Sequence, residues 1–145
     1  MPREVNFIVA SEENCEELAT LNKKLIDDGG SNNNMSVTEL ENRMHEFVSG
    51  GYTAIIFEAD GKHIGYTLIA VDKSPMFVRH FFIDKQFRRK GYGTAAFNKL
   101  ITFLKVDEID LSVLASNKIG YEFWRSCGLI PYETFMHFRG KDKRQ

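Results

Sequence analysis

Cysteine, proline and long apolar runs are all scarce in this sequence of 145 residues, which contains two cysteines and three prolines. Cys15 and Cys127 lie far apart, and neither has a CxxC motif or a Cys/His cluster nearby. We therefore expect two reduced thiols and no metal site. No run approaches the ~18 consecutive apolar residues of a membrane-spanning helix, so no contact with a membrane is expected.

The rest of the composition is that of an ordinary globular domain. Hydrophobic residues make up 43% and charged residues 27% of the chain, and the length predicts a single domain over residues 1–145. The segment that begins at Met1 lacks a signal-peptide pattern, which favours a cytoplasmic location. A net charge of −1 and a pI near 6.4 argue against a nucleic-acid partner.

Apolar periodicity and turn residues predict ten secondary-structure elements in the order β-α-α-β-β-β-α-β-α-β. Ser36 followed by Glu39 is a capping box that begins a helix, and Asp60-Gly61 indicates a hairpin between two strands. Such an order predicts an α/β (α+β) fold, in which a mixed sheet has helices on both faces. The predicted strands cover residues 5–10, 52–59, 63–71, 76–83, 109–114 and 134–138.

The segment Gln86–Thr94 is the most informative part of the chain because it follows a strand and opens a helix. The first amides of a helix have no partner within it and attract an anion. Gly91 and Gly93 let the backbone approach a ligand closely, and Arg88, Arg89 and Lys90 add positive charge. These features indicate a pyrophosphate site, although basic loops with glycine turns are also common before helices.

Two other phosphate-binding motifs do not fit this loop. A P-loop requires GxxxxGK followed by Ser or Thr, and no such pair follows Gly93. The dinucleotide fingerprint GxGxxG requires a third glycine where Ala96 stands, within a βαβ unit near the start of the chain. Three predicted strands precede the loop, so neither motif applies.

The segment Arg88-Arg89-Lys90-Gly91-Tyr92-Gly93 resembles the [Gln/Arg]-x-x-Gly-x-[Gly/Ala] motif of the GCN5-related N-acetyltransferase (GNAT) family. The preceding residues 79–84 resemble the central strand of that family. Residues 117–129 resemble its Asn-x-x-Ala…Tyr-x-x-x-Gly-Phe segment, and the predicted element order agrees over nearly the whole chain. The resemblance implies an acyl-CoA N-acyltransferase fold with a splayed central sheet.

The resemblance also implies acetyl-CoA as co-substrate and assigns residues to it. The pantetheine arm is expected between the two splayed strands, where the main chain near Phe81 and Ile83 bonds it. Backbone amides from Arg89 to Thr94 would hold the pyrophosphate, and Asn117 would meet the arm near its thiol unless it is only a helix cap. The full expected set is Phe81, Phe82, Ile83, Arg88, Arg89, Lys90, Gly91, Tyr92, Gly93, Thr94, Asn117 and Trp124.

The implied reaction is direct attack of an amine on the thioester, with an N–H near Phe81 or Phe82 stabilising the developing oxyanion. The chain departs from the family pattern at the general acid, because Trp124 stands where the family often has a tyrosine. The thiolate then leaves unprotonated, or Tyr121 or Tyr92 protonates it.

The general base is also open. Family members with a glutamate base place it where this chain has Ser112 or Phe77, and Ser112 could hold a water in a proton path. Further candidates are Glu58, Asp72 and His80. Along a regular strand His80 alternates with Arg79 and Phe81, so only one of these sets is expected to face the cleft.

The expected acceptor is the amine of a small molecule. The region of the first two helices is rich in acidic residues, which would attract a cationic amine; these residues are Asp27, Asp28, Glu39, Glu41 and Glu46. A protein N-terminus or lysine, and a domain that binds acetyl-CoA with little turnover, are the alternatives. A homodimer is compatible with the sequence, which does not determine the oligomeric state.

Overall fold

A five-stranded mixed sheet forms the centre of the protein, whose computed structural model describes residues 3–140. The first four strands pair antiparallel in chain order, and the fifth pairs parallel to the fourth. Each strand is named by its place in the chain: β1 (Asn6–Val9), β2 (Tyr52–Ala59), β3 (Lys62–Ala70), β4 (Met76–Ile83) and β5 (Ile109–Leu111).

Four α-helices cover the sheet, and the predicted capping box begins the second of them. Ser36 accepts a hydrogen bond from Glu39 N, and the Glu39 carboxylate accepts one from Ser36 N, which completes the capping box. Ser11 caps a short 3-10 turn that leads into the first helix. The helices are α1 (Cys15–Gly29), α2 (Val37–Ser49), α3 (Tyr92–Leu104) and α4 (Lys118–Ser126). Within residues 3–140, no helix is long and apolar enough to cross a membrane.

Both faces of the sheet are buried, and the continuous buried runs 54–57 of β2 and 64–70 of β3 agree with burial on two sides. Ile55 and Phe57 pack on one face with Leu100 of α3. Ala54 and Ile56 face the other side, in a cluster with Leu18 of α1 and Met44 of α2. The predicted arrangement, a mixed sheet with helices on both faces, is therefore confirmed.

A β-bulge interrupts β4 in the middle of the sheet. Leu68 of β3 pairs with His80, but the next residue, Ile69, pairs with Val78, so Arg79 has no partner on β3. A bulge of this kind turns the bulged strand and redirects its side chains. The expected alternation of Arg79, His80 and Phe81 is therefore broken, because Arg79 and His80 both lie against the Phe47 ring of α2.

The pairing of β4 with β5 is short and ends in the middle of β4. It covers three residue pairs, from Met76–Ile109 to Val78–Leu111. Beyond Val78, the rest of β4 keeps only β3 as a neighbour among the described strands, so one edge of its backbone is open. The sequence predicts that β5 extends to Leu114, but the strand ends at Leu111 because its neighbour has turned away.

The segment after α4 corrects the sequence prediction, because residues 134–138 do not form a strand. Strands exist only through pairing, and residues 130–140 make no backbone hydrogen bond to any other described residue. Their large apolar side chains are exposed, with Phe135 at 90% and Phe138 at 89%. The composition of 134–138 favours a strand, but this segment pairs with no other strand in the described chain.

A substitution at Gly65 of β3 tests how closely β3 and β4 approach each other. A Cβ at this position would clash with the Phe82 carbonyl oxygen and lie 3.0 Å from Ile83 Cα. We expect Gly65→Ala to lower the free energy of unfolding by about 1–3 kcal/mol, because β4 must move to relieve the clash. Urea unfolding followed by circular dichroism measures this change.

Gly29→Ala is the matched control for that substitution. Gly29 lies within α1, and a Cβ there would meet nothing within 4 Å. Alanine should be neutral or stabilise the helix by up to ~1 kcal/mol. Equal stability of the two variants would contradict the close contact between Gly65 and β4.

Candidate functional site

The loop before α3 presents a row of backbone N–H groups without acceptors. Arg89 and Gly91 both adopt left-handed backbone conformations, with φ of 62° and 86°. The first hydrogen bond of α3 runs from Ala95 N to Gly91 O. Six consecutive amides, from Arg89 to Thr94, donate to no acceptor among the described residues. Such a concave run of amides at a helix N-terminus favours an anion.

The two glycines of this loop are required for different structural reasons. Gly91 has the left-handed conformation that side chains disfavour. Gly93 lies against α4, where a Cβ would come within 3.1 Å of the Phe123 ring. Both positions therefore allow α3 to begin close to its neighbours with its amides uncovered.

The three basic side chains of the loop are not equivalent. Arg88 is held by Asp28, with its Nη2 2.8 Å from Asp28 Oδ2, and its Nε donates to the carbonyl of Ile83. Arg89 and Lys90 are exposed, and neither side chain forms an ion pair within the described chain. An anion at the loop would therefore meet two available cations rather than the three that the sequence suggested.

The open edge of β4 lies beside this loop. Asp84 N donates to Ile64 O, which fixes which residues of β4 face β3. Because backbone groups alternate along an antiparallel pair, those of His80 and Phe82 point towards β3, and those of Phe81 and Ile83 point to the open edge. The Ile83 carbonyl already accepts from Arg88. Of the two predicted oxyanion donors, it is therefore Phe81 whose N–H is directed into the opening.

A cavity of about 500 Å³ occupies the space where β4 and β5 separate. Phe81 and Trp124 line one side of it, and the Trp124 ring packs edge-on against Phe81 at 5.0 Å, Phe97 at 5.4 Å and Phe123 at 4.8 Å. Trp124, which stands in the tyrosine position, is thus held by three neighbouring rings. The cavity continues from this wall to the C-terminal end of α1 and to α2.

Of the other predicted residues, Asn117 and Ser112 line the cavity, whereas Tyr121 and Tyr92 do not. Asn117 lines the cavity and also caps α4, because its Oδ1 accepts from Gly120 N at 2.9 Å. Its amide nitrogen makes no hydrogen bond among the described residues, so the cap and a ligand contact are compatible. Ser112 follows the end of β5 and lines the cavity. Tyr121 is 43% exposed on α4, whereas Tyr92 is buried in the core below α3.

A polar cluster at the α1–α2 end of the cavity was not predicted. Arg43 Nη2 donates to Asn22 Oδ1 at 3.0 Å, and Tyr66 shares a hydrogen bond of 3.0 Å with His80 Nδ1. Asn22, Arg43 and His80 line the cavity, together with Arg79. The sequence carried a signal for this cluster: Asn22 interrupts the apolar stripe of α1, and Arg43 falls on the inner face of α2 between Leu40 and Phe47.

Burial and positive charge keep this cluster in defined protonation states. Burial, followed by the charges of Arg43 and Arg79, lowers the pKa of His80 from 6.5 to about 3. His80 is therefore neutral at pH 7. Burial raises the pKa of the Tyr66 hydroxyl, and the charge of Arg43 and the nearby Asn22 amide oppose that shift. The Asn22 amide nitrogen does not reach hydrogen-bonding geometry in the described chain. Burial and the charge of Arg79 also lower the pKa of Arg43.

The acidic residues expected at the acceptor pocket lie elsewhere. Asp28 pairs with Arg88, Asp27 lies 3.8 Å from Lys23, and Glu39 serves the cap of α2. Glu41 lies 3.7 Å from His45, and neither it nor Glu46 lines the cavity. The other base candidates, Glu58 and Asp72, also lie outside the lining, so His80 is the only one of the three base candidates that reaches the cavity.

Comparison with known proteins identifies the class to which this arrangement belongs. The model of the acetyltransferase (GNAT) family matches residues 16–129, which is most of the chain. The chain therefore belongs to the GNAT acetyltransferase family, as the loop and the downstream segment indicated. A comparison with curated protein sequences gives no significant match.

Solved structures show the same fold at low sequence identity. A predicted acetyltransferase from Clostridium acetobutylicum, solved with acetyl-CoA, has a TM-score of 0.72 and 16% identity, covering 94% of this chain and 96% of its own. An aminoglycoside N-acetyltransferase solved with CoA has a TM-score of 0.71 and 18% identity, covering 97% of both chains. A mutant of the BH1408 protein from Bacillus halodurans has a TM-score of 0.77 and 21% identity over 92% of this chain and 98% of its own.

The neutral state of His80 predicts how stability depends on pH. Above about pH 6.5 the residue is neutral in both the folded and the unfolded chain, so its ionisation does not reduce the free energy of unfolding there. Below that value His80 is protonated in the unfolded chain but stays neutral in the folded chain until the pH approaches 3. Protonation therefore stabilises the unfolded chain in this pH range. Between pH 7 and pH 5 this difference should lower the free energy of unfolding by about 2 kcal/mol.

Urea unfolding of the wild type and of His80→Asn at the two pH values measures this contribution. The variant should lose less stability than the wild type by that amount, because asparagine does not titrate. An equal loss in both proteins would mean that His80 takes up a proton in the folded state.

Proposed function

We propose that this protein is an N-acetyltransferase that moves the acetyl group of acetyl-CoA to the amine of a small molecule. The observation that carries the proposal is the run of six unpaired amides from Arg89 to Thr94, beside the open edge of β4. One feature suits the pyrophosphate of coenzyme A, and the other suits the amide groups of its pantetheine arm. The two features are adjacent, as a single extended ligand requires.

The residues present fit acetyl-CoA at each part of the site. The amides of the loop before α3 would hold the pyrophosphate, and the charges of Arg89 and Lys90 would add to their field. The open backbone groups of Phe81 would hydrogen-bond the arm as a neighbouring strand does. Asn117 and Trp124 line the cavity at the thioester end. Bound there, acetyl-CoA supplies an activated acetyl thioester.

The transfer is a direct attack of the acceptor nitrogen on the thioester carbonyl. The new carbon–nitrogen bond forms as the carbon–sulfur bond breaks, the amine loses a proton, and coenzyme A leaves as a thiol or thiolate. The Phe81 N–H points into the opening and is the donor for the negative charge that develops on the carbonyl oxygen. No movement of the backbone is needed to provide this donor.

The cavity favours the neutral form of a bound amine, although none of the described residues that line it is a strong general base. A free primary amine with a pKa near ~10 is about 0.1% neutral at pH 7. Transfer of the amine from water into the cavity disfavours the ammonium ion, which lowers the pKa of the bound amine. His80 is neutral but only weakly basic, so we assign proton removal to a water path past Ser112, which lines the cavity after the end of β5.

The leaving thiolate has no acid in the usual tyrosine position. Trp124 has an indole N–H that donates hydrogen bonds but does not titrate. Tyr121 lies one turn earlier on α4 and is partly exposed, which makes it the remaining proton donor on that helix. Tyr92 is buried in the core and is assigned a packing role.

Titration calorimetry with acetyl-CoA, CoA and ATP in parallel tests the proposed site. Both coenzyme A species should bind near micromolar affinity and ATP much more weakly, because ATP lacks the pantetheine arm. Thiol release in the presence of a panel of amines then tests transfer. Binding without thiol release from any amine would instead support a binding domain that lacks turnover.

The substitution Gly91→Glu tests the loop directly. A side chain and a negative charge would enter the space in front of the free amides, so acetyl-CoA affinity should fall by a hundredfold or more, on the order of 3 kcal/mol. Gly61→Glu is the matched control, because Gly61 has a similar φ of 76° and lies in the β2–β3 turn, where an added Cβ would meet nothing within 4 Å. Unchanged affinity in Gly91→Glu would refute the loop as the pyrophosphate site.

Substitutions of Trp124 separate proton donation from packing. If the missing acid limits turnover, Trp124→Tyr should keep or raise kcat, whereas Trp124→Phe should not raise it. Both variants remove the indole from its packing against Phe81, Phe97 and Phe123. An equal, large loss of kcat in both would show that Trp124 acts by packing.

A further inference from the structure

The α1–α2 end of the cavity contains two arginines and no acidic residue. Arg43 reaches it from α2 and Arg79 from the bulge of β4, and each guanidinium carbon lies within 5.4 Å of the centre of the same Phe47 ring. None of the described residues that line the cavity is an aspartate or a glutamate. Neither arginine forms an ion pair within residues 3–140. With His80 neutral, this end of the cavity is positively charged.

Buried donors in the same place have no acceptor. Asn22 is 1% exposed, and its Nδ2 makes no hydrogen bond among the described residues. Its Oδ1 accepts from Arg43 Nη2, which orients the guanidinium, while Arg43 Nε is also buried without a partner. Unpaired buried donors are costly, and two neighbouring cations raise that cost further. A negatively charged group in the cavity would offset the charge of the two guanidinium groups and would give the cluster a hydrogen-bond acceptor, which it now lacks on the cavity side.

We propose that the acetyl acceptor carries a carboxylate as well as its amine, so that it belongs to the class of small amino acids. The carboxylate binds between Arg43 and Arg79, and the amine lies nearer to Phe81. A planar carboxylate matches the planar donor set of a guanidinium and an amide. This assignment rests on the proposed acetyl transfer and replaces the cationic acceptor that the acidic composition of the first two helices suggested.

The bulge at Arg79 is the feature that creates this pocket. In a regular strand Arg79 and His80 would face opposite sides of the sheet. The bulge brings both to the α2 side. Arg79 then adds a second charge to that of Arg43, and His80, bonded to Tyr66, adds none.

Matched pairs of ligands test the carboxylate requirement by direct binding. The probes are β-alanine, 4-aminobutyrate and 6-aminohexanoate, each paired with its carboxamide, with 2-aminoethyl phosphate and spermidine as further arms. Calorimetry is done on the full chain with and without saturating CoA, so that it does not depend on turnover. At least one amino acid should bind on the order of tenfold more tightly than its amide.

Two variants assign that preference to the arginines. Arg79→Gln changes an exposed residue and should reduce the preference severalfold or more, while Arg43→Lys keeps a charge but loses the planar donors and should reduce it less than Arg43→Met. Arg125→Gln, on the exposed side of α4, is the control and should leave the preference unchanged. Circular dichroism checks that each variant is folded.

The outcomes separate this inference from the proposed function. Equal binding of amino acids and amides, or tighter binding of spermidine, would overturn the carboxylate assignment even if thiol release shows an active acetyltransferase. Tighter binding of 2-aminoethyl phosphate than of β-alanine would overturn it in favour of a phosphate. Failure to bind CoA, with carboxylate selectivity intact, would instead remove the proposed acetyl transfer and leave an amino-acid pocket.

Discussion

The early end of pairing between β4 and β5 is the constraint on which the rest of the site depends. Three residue pairs hold the strands together, and beyond Val78–Leu111 they separate. A buried strand with an unpaired edge is unfavourable because its amides and carbonyls lose water without gaining partners. Here the unpaired edge faces a cavity, where water or an extended ligand can satisfy it. The unpaired edge therefore costs stability, and the proposed binding of an extended ligand there would offset that cost.

The bulge in β4 and the separation of the strands belong to one local distortion. Arg79 has no partner on β3, and the pairing with β5 ends one residue earlier, at Val78. The distortion directs the Phe81 amide into the opening and places Arg79 and His80 on the α2 side. One irregularity in one strand therefore supplies both the open backbone that we propose binds acetyl-CoA and the charges that we propose bind the acceptor.

The two ends of the site use positive charge in different ways. At the loop before α3, backbone amides supply most of the field, and they are fixed by the left-handed residues Arg89 and Gly91. At the acceptor end, the field comes from the side chains of Arg43 and Arg79 beside Phe47. The first arrangement suits a pyrophosphate exposed to solvent. The second suits a small anion in the cavity, within reach of both guanidinium groups.

The sequence by itself determined the local features: the capping box at Ser36, the hairpin at Asp60-Gly61, the limits of β2 and β4, and the glycine loop that begins α3. Each depends on residues within a few positions, and the family motif added the expected place of acetyl-CoA. Only the tertiary structure decided the pairing of distant segments. It left residues 134–138 unpaired, ended β5 at Leu111, engaged Arg88 with Asp28, and brought Arg43, Arg79 and Asn22 to one cavity. Those outcomes depend on which strand edges and which charged groups come into contact in the folded chain. A local sequence pattern does not specify contacts between residues that are far apart in the sequence.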